Sequence, residues 1–422
     1  MKLSINSVPV QRKFALLCAY ALLSLGALGQ AKIDSSNVTT LRIDPQTAHG
    51  AKVSEVFDDV KFIPLETTKE SLFGRINSLK VVKNQFVIFD YDTRAVLIFS
   101  REGKFKGKID ASKIPKDDAD KSKNEFYGYK IVDDNKDSVI SIFAGKYHHY
   151  FDLTGKFIKK IPRKDLQLFE QFQFADKETT VRPFFVKKTG KDSTYYELAV
   201  LRKKDTLTYL PFSMDRYQKD DFWDGAKFYD YDGKNEMFFV NLYDYNIHKI
   251  TPSGLALTYR IIFPANNSLP KDWMTNPSYV KKRSEYFQRN QKVFYSLNNT
   301  YPVGDFLFMQ MRSYSWDKET KKAIIYNLKT TEVTSLQDIE PDSASYFLPV
   351  TDAGSYHDFL SNGFLLYKDD YFYTSYSSLA MFAFKSQMGD RNKKFPPLLE
   401  DYFKTQDRKS NPVIIQLKPK KH

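Results

Sequence analysis

The chain has 422 residues, 16% of them aromatic, a formal charge of +13 and a single cysteine, Cys18. One cysteine excludes a disulfide framework and a multi-thiolate metal site, and beyond a short N-terminal run no apolar stretch exceeds strand length, which leaves nothing internal to span a bilayer. With 35 Phe and 28 Tyr, residue types that favour half-buried pleated surfaces, the chain reads as one large all-β domain rather than two ordinary ones.

Lys2, Arg12 and Lys13 precede an apolar run from Phe14 to Ala27, and Ala27 and Gly29 supply small residues ahead of a cut after Gly29. This is the pattern of a secretory signal peptide over residues 1–29, with 30–422 as the mature domain. The run, about 14 residues, is short of the roughly 20 that an anchor needs. Cleavage removes Cys18, and with it any cysteine nucleophile, and lowers the charge of +13 by three, to +10. An exported basic protein, periplasmic or secreted, meets acidic glycans, lipid headgroups and other proteins rather than nucleic acid. Lysines at edges and turns also discourage unwanted strand pairing.

Val38–Ile43 alternates as a strand, isolated by polar linkers, and Val56–Thr68 leads into the domain with Pro64 at an edge or entry position. The stretch Phe99–Ile109 then returns as Phe151–Ile161. The aromatic, the glycine, the Lys-Phe pair and the final isoleucine keep their offsets, and Gly103 and Gly155 lie 52 residues apart. A unit of a few strands and a tight turn at that period is a β-propeller blade.

Strands at Ile76–Val82, Phe86–Asp90, Ala95–Phe99 and Lys104–Ile109 form blade one. Tyr129–Val132, Val139–Phe143, Tyr147–Asp152 and Lys156–Ile161 form blade two, and Phe172–Phe174, Val181–Lys187, Tyr195–Leu201 and Thr206–Phe212 a looser blade three. Blade four starts near Ala226 and continues through Met237–Leu242, Ile247–Ile250 and Leu255–Phe263. Helical spacing of Tyr279, Arg283, Tyr286 and Phe287 predicts a short helix before blade five. Phe294–Leu297, Phe306–Met311, Ala323–Asn327 and Val333–Leu336 form that blade. Blade six holds Phe364–Tyr367, Tyr371–Tyr376, helical excursions over Leu379–Gln387 and Leu398–Thr405, and a last strand at 411–417. It lacks an outer strand, which Val38–Ile43 is expected to supply, closing a six-bladed ring of four-stranded blades.

Phe62-Ile63-Pro64-Leu65-Glu66-Thr67-Thr68, Gly74-Arg75-Ile76, Phe89-Asp90, the Phe99–Ile109 hairpin and Asn411-Pro412-Val413 together resemble six-bladed β-propeller proteins of unknown function exported by Bacteroidota. Asp90, Arg94, Val96–Phe99 and Gly103-Lys104-Phe105 also resemble an NHL repeat. Members of the first family include lipoproteins. This chain has no cysteine at the signal junction, so the resemblance implies a soluble form, and it carries over no catalytic residue.

Chemistry-bearing motifs are few. His148-His149 are strand neighbours that point to opposite faces and cannot share a metal. Asp230-Tyr231-Asp232-Gly233 lacks the oxygen set and frame of a calcium loop, Gly190-Lys191-Asp192 reads as a turn rather than a phosphate loop, and no Gly-x-Ser-x-Gly elbow occurs. No metal or cofactor is expected. The remaining locus is the channel mouth, where Arg75, Tyr127, Tyr129, Trp223 and Tyr229 stand at or just before inner strands. The expected function is a monomeric, non-catalytic scaffold for a protein or glycan. The alternative is a carbohydrate-active hydrolase or lyase with paired channel carboxylates.

Overall fold

A computed structural model of the protein describes residues 31–115, 125–134, 137–162, 171–214, 220–222, 225–230, 235–317, 319–352, 359–391 and 394–422. The N-terminal segment carries β1 (Thr39–Arg42), β2 (His49–Lys52), the one-turn helix α1 (Val53–Val56) and β3 (Phe57–Pro64). Blade one is β4 (Ser78–Val82), β5 (Gln85–Asp90), β6 (Ala95–Ser100) and β7 (Phe105–Ile109). Blade two is β8 (Lys130–Asp134), β9 (Asp137–Ala144), β10 (Tyr147–Phe151) and β11 (Phe157–Pro162). Blade three is β12 (Phe172–Gln173), β13 (Thr180–Thr189), β14 (Asp192–Leu201) and β15 (Thr206–Phe212). Blade four is β16 (Lys227–Asp230), β17 (Met237–Val240), β18 (Asn246–Thr251) and β19 (Gly254–Ile262). After α2 (Arg283–Arg289), blade five holds β20 (Ser296–Val303), β21 (Phe306–Arg312), β22 (Ala323–Asn327) and β23 (Val333–Glu340). After α3 (Phe359–Asn362), blade six holds β24 (Leu366–Lys368), β25 (Tyr371–Tyr376), the helices α4 (Ser378–Met388) and α5 (Pro397–Thr405), and β26 (Val413–Pro419).

Six antiparallel sheets result, the six-bladed β-propeller that the repeat predicts. All six residues of β6 are buried, because both faces of a blade are covered by its neighbours. Alternation then sorts the side chains by neighbour. Phe86, Ile88, Leu97 and Phe99 pack toward blade six with Ile63, Tyr373 and Ile414, while Val87, Phe89, Val96 and Ile98 pack toward blade two with Ile140, Ile142 and Phe151. The core is therefore a set of seams between blades, and each fully buried Val, Ile or Phe contributes about 1.5–3 kcal/mol.

The repeated hairpin is also a structural repeat. Both copies break register at the same place, between Ile98 and Phe99 and between Tyr150 and Phe151. Both keep an edge-on aromatic pair, Phe99–Phe105 and Phe151–Phe157, each with ring centres 5.6 Å apart. Their glycines do more than turn the chain. Gly103 (φ +83°) presses against the end of β3, where an added Cβ would lie 2.1 Å from the Pro64 carbonyl oxygen, and Gly155 (φ +82°) sits against Lys108 and Ile109 of β7. Gly254 of blade four repeats the contact against Tyr209 of β15.

The closing strand is not Val38–Ile43. The outer strand of blade six is β3, which runs antiparallel to β26 from Val413↔Pro64 to Pro419↔Phe57. β1 instead lies parallel along β19 of blade four, and β2 parallel along β23 of blade five, each adding a fifth strand. Ala31 N–H donates to the Thr208 carbonyl of blade three, so the N-terminal segment is a belt crossing blades three, four and five before it becomes part of blade six. The isolated alternation of Val38–Ile43 marks a strand without marking its partner. β3 wins the closing place because Val60, Phe62 and Ile63 supply buried faces on both sides.

Asn411 fastens this joint. Fully buried, its Nδ2 donates to the Glu66 and Ser71 carbonyls at 2.8 and 2.9 Å, its Oδ1 accepts from Phe73 N at 3.0 Å, and its own N–H donates to Thr67 Oγ1. Asn411→Ala leaves two carbonyls and an amide unsatisfied in a dry site and is expected to cost about 3 kcal/mol or more, read as a lowered urea midpoint. Gly103→Ala should cost about 2 kcal/mol or more, from its left-handed backbone and the clash with β3. Gly190→Ala isolates the backbone part: φ is +64° but nothing lies within 4 Å, so a loss of only about 1 kcal/mol is expected there by the same measurement.

Candidate functional site

In each four-stranded meander the turn between second and third strands and the link to the next blade emerge on the same face. On this chain that face carries the large insertions: the 263–295 excursion with α2, the link containing α3, and the α4–α5 excursion. The opposite face has short turns. Loops on a rigid scaffold are where binding groups concentrate, and the face is asymmetric in that sense.

At the mouth between blades six, one and two, the turn from Tyr91 to Arg94 is closed by the buried Asp90 carboxylate, whose Oδ2 accepts from Thr93 N at 3.2 Å and Thr93 Oγ1 at 2.6 Å. Asn77 Oδ1 accepts from Tyr91 N at 2.7 Å and ties the turn to the entry of β4. Arg94, at φ +48°, then projects across the link between blades. Its guanidinium pairs with Glu125 at 2.5 Å and lies 5.0 Å from the centre of the Tyr127 ring. Tyr127 Oη donates to the same Glu125 at 3.1 Å, and the Tyr91 and Tyr127 rings are 5.9 Å apart. Both rings are more than half exposed, Tyr91 at 52% and Tyr127 at 57%. Aromatic faces held this open by a cation and a carboxylate form a stacking platform. On its blade-six side the exposed Arg75 donates from Nη2 to Asn362 Oδ1 at 2.5 Å.

Of the five positions singled out from the sequence, Arg75 and Tyr127 thus stand at this mouth. Tyr129 and Tyr229 do not face it. Tyr129 Oη donates to the Val87 carbonyl of blade one at 2.6 Å. Tyr229 is buried, its hydroxyl accepting from Asn299 N at 2.8 Å and its ring 5.1 Å from Tyr301. These two are seam residues joining neighbouring blades. Trp223 lies outside the described residues, as do Tyr231-Asp232-Gly233. Sequence reading passed over Tyr91, Arg94 and Glu125, although the Asp90-x-x-x-Arg94 spacing marked the turn that presents them.

Three of the described histidines, His148, His149 and His248, sit on blade strands. His148 packs on Phe143 at 5.5 Å, while His149 is buried beside Tyr147 and Phe157, and burial lowers its pKa against the opposing hydrogen bond with the Ala144 backbone. His248 is buried against Phe239, and burial lowers it to about 4. Among the described residues no group of three or more His, Cys, Asp or Glu is placed to hold a metal ion. None of the mouth residues lines either of two concavities, of about 610 and 370 Å³, found elsewhere on the ring.

Over blades four and five the same face bears an aromatic cap in which Trp273, Phe287, Phe222, Tyr243 and Tyr286 meet. At its centre Arg283 pairs with Asp220, both side chains nearly inaccessible. Arg283 stacks its guanidinium 4.6 Å from the Trp273 ring and 5.0 Å from Tyr243, and donates to the Trp273 carbonyl. The Asp221 carboxylate accepts from Arg283 N and Ser284 N at the start of α2. Burial pushes that carboxyl up, but the amide and hydroxyl hydrogen bonds outweigh it and leave it below the ordinary value.

The fold is that of a six-bladed propeller with one elaborated face. The chain belongs to a protein family described as a domain of unknown function (DUF4934), which it matches over residues 38–418. The structure is similar to that of a protein from Bacteroides fragilis named as exported, with a TM-score of 0.59 and 15% identity over 90% of this chain and all of that one. It is less similar to a DUF4221 member from Bacteroides vulgatus, with a TM-score of 0.39 and 9% identity over 86% of this chain and 98% of that one. No curated protein sequence matches it.

Asp220→Ala strands a buried guanidinium and should destabilise the protein by about 3–5 kcal/mol. Arg283→Lys should recover little, since an ammonium cannot both stack on Trp273 and reach the same partners. Thermal unfolding followed by near-UV circular dichroism, which reports the cap's aromatics, checks both.

Proposed function

We propose that the protein is an exported, periplasmic, monomeric binding propeller that holds a carbohydrate chain at the mouth between blades six, one and two. The observation that carries this reading is the pair of half-exposed rings, Tyr91 and Tyr127, with Arg94 packed on Tyr127 and Arg75 on the adjoining rim. A pyranose presents an apolar C–H face to such rings and hydroxyls to the flanking Arg and Asn groups. Glu125, ion-paired with Arg94 and hydrogen-bonded by Tyr127, positions the platform. Export is supported by the basic-then-apolar N-terminal segment and by the name of the Bacteroides fragilis neighbour. Among the described residues no helix is long and apolar enough to cross a membrane. The unit from Asp90 to Ile109 fits an NHL-like blade, with Asp90 closing the turn that presents Arg94.

The test is an array of bacterial and host polysaccharides probed with the mature protein, followed by titration of the best binder. Tyr91→Ala and Tyr127→Ala should each weaken binding by about 1 kcal/mol, roughly fivefold. Retained affinity in the double variant would sink the assignment, and release of shortened glycan products would move the protein to the hydrolase or lyase class.

A further inference from the structure

Toward the outer edge of the ring, the seam between blades five and six leaves a space. A cross-strand row runs over blade five: Phe308 of β21 opposite Ile325 of β22, Ile325 opposite Thr334 of β23, and Thr334 opposite His49 of β2. Paired residues share a face of a sheet, and these four side chains all line a cavity of about 370 Å³. The facing wall includes Val56 of α1 and Lys420 just past β26, joined by the hydrogen bond that Lys420 N donates to the Val56 carbonyl. The belt is what encloses this space. Its register breaks between His49 and Ala51, and Gly50 lies so close to β23 that an added Cβ would be 2.8 Å from the Asp338 carbonyl oxygen. β2 is thus pinned on blade five while its bulge borders the cavity. The base is apolar and already ordered, with Phe308 1% and Ile325 5% exposed and the Phe308 ring 4.8 Å from that of Phe372. Polar lining residues are the accessible ones, His49 and Glu55 being exposed and Lys420 half-buried.

We infer that this cavity binds a small amphiphilic carboxylate, a medium-length acyl chain with its apolar part against Phe308, Ile325 and Val56 and its carboxylate at Lys420 and His49. Size and chemistry both select this occupant. The volume lies at the low end of the roughly 300–1,000 Å³ of small-molecule sites, which combine an apolar lining with a few polar groups. A sugar filling the space would set hydroxyls against Phe308 and Ile325, where each unpaired polar group is costly. Glu55 is the single carboxylate of the lining, and its Oε2 accepts from Lys52 N at 2.6 Å at the start of α1. His49 Nδ1 lies 3.0 Å from the Gly50 carbonyl oxygen, which can only accept. That fixes the ring proton on Nδ1, so the second proton, gained beside an anion, goes to Nε2. Lys420 and His49 therefore answer a negative head group while Glu55 is held by the belt. Because β2 forms part of the wall, occupancy is coupled to the seating of the belt on blade five. The cavity shares no residue with the proposed glycan mouth, and the inference stands independently of it.

The probes are decanoate, decanol and decyltrimethylammonium, titrated calorimetrically into the mature protein below their micellar concentrations. Saturable one-to-one binding of decanoate is expected, with decanol about tenfold weaker for want of a charge-assisted hydrogen bond and the cation weaker still. Lys420→Ala keeps the backbone bond to Val56 and should weaken decanoate about fivefold while leaving decanol unchanged. Thr334→Phe, which sets a ring into the row that lines the cavity, should abolish binding of both. In the unaltered protein, saturating decanoate should slow amide hydrogen exchange in β2, His49–Lys52, a readout that does not depend on how any variant folds. Absence of saturable binding, equal affinity for decanol and decanoate, indifference to Lys420→Ala, or protection only away from β2 would each overturn the assignment. So would tighter binding of the cation, which would make Glu55 the partner of the head group.

Discussion

A row of six sheets, each able to bury its faces only against neighbours, has two raw ends until the first and last blades meet, and everything else depends on that meeting. Here it is made by β3 on β26, a ladder seven pairs long from Pro64 to Phe57, and by Asn411, whose hydrogen bonds to Glu66, Thr67, Ser71 and Phe73 fasten the end of the chain to the segment that enters blade one. Because the seam behind that ladder contains Ile63 and Ile414 from its two strands and Phe86, Leu97 and Phe99 from blade one, opening it exposes a core seam as well as a sheet edge. Closure and core burial are one event, which is why such a ring unfolds nearly as a unit.

The repeated glycine transmits the same constraint round the ring. Gly103, Gly155 and Gly254 occupy equivalent turns, and each lies against the outer strand of the preceding blade. The residue's permissive backbone makes the turn, while its missing side chain sets how closely blades approach. Sequence repetition at these positions is therefore the record of a spacing between sheets. The hairpin that reveals the fold is a structural joint, and the large insertions lie on the opposite face.

Insertion there is built from local chemistry of two kinds. The cap over blades four and five is a dry aromatic cluster organised by the Arg283–Asp220 pair, whereas the mouth near blade one keeps Tyr91 and Tyr127 open to solvent, braced by Arg94 and Glu125. The two use the same residue types to opposite ends: enclosure of the cation consolidates a lid, and exposure of the rings leaves a surface available to a ligand.

The blades were legible from the chain alone because their signals are local: strand-length apolar and aromatic runs, a glycine turn between the third and fourth, and a 52-residue return of one hairpin. So were the helical excursions near Arg283, Leu379 and Leu398. Tertiary structure alone decided which N-terminal strand closes the ring, since Val38–Ile43 alternates as a strand and Val56–Thr68 suits an edge, and only the edges of distant blades distinguish them. It also decided that Tyr129 and Tyr229 join blades while Tyr91 faces solvent. A strand's sequence states that it will pair and which faces it can bury; its partner, and the direction in which a tyrosine near a strand end is spent, depend on neighbours hundreds of residues away, as Asn411 and Glu66 are.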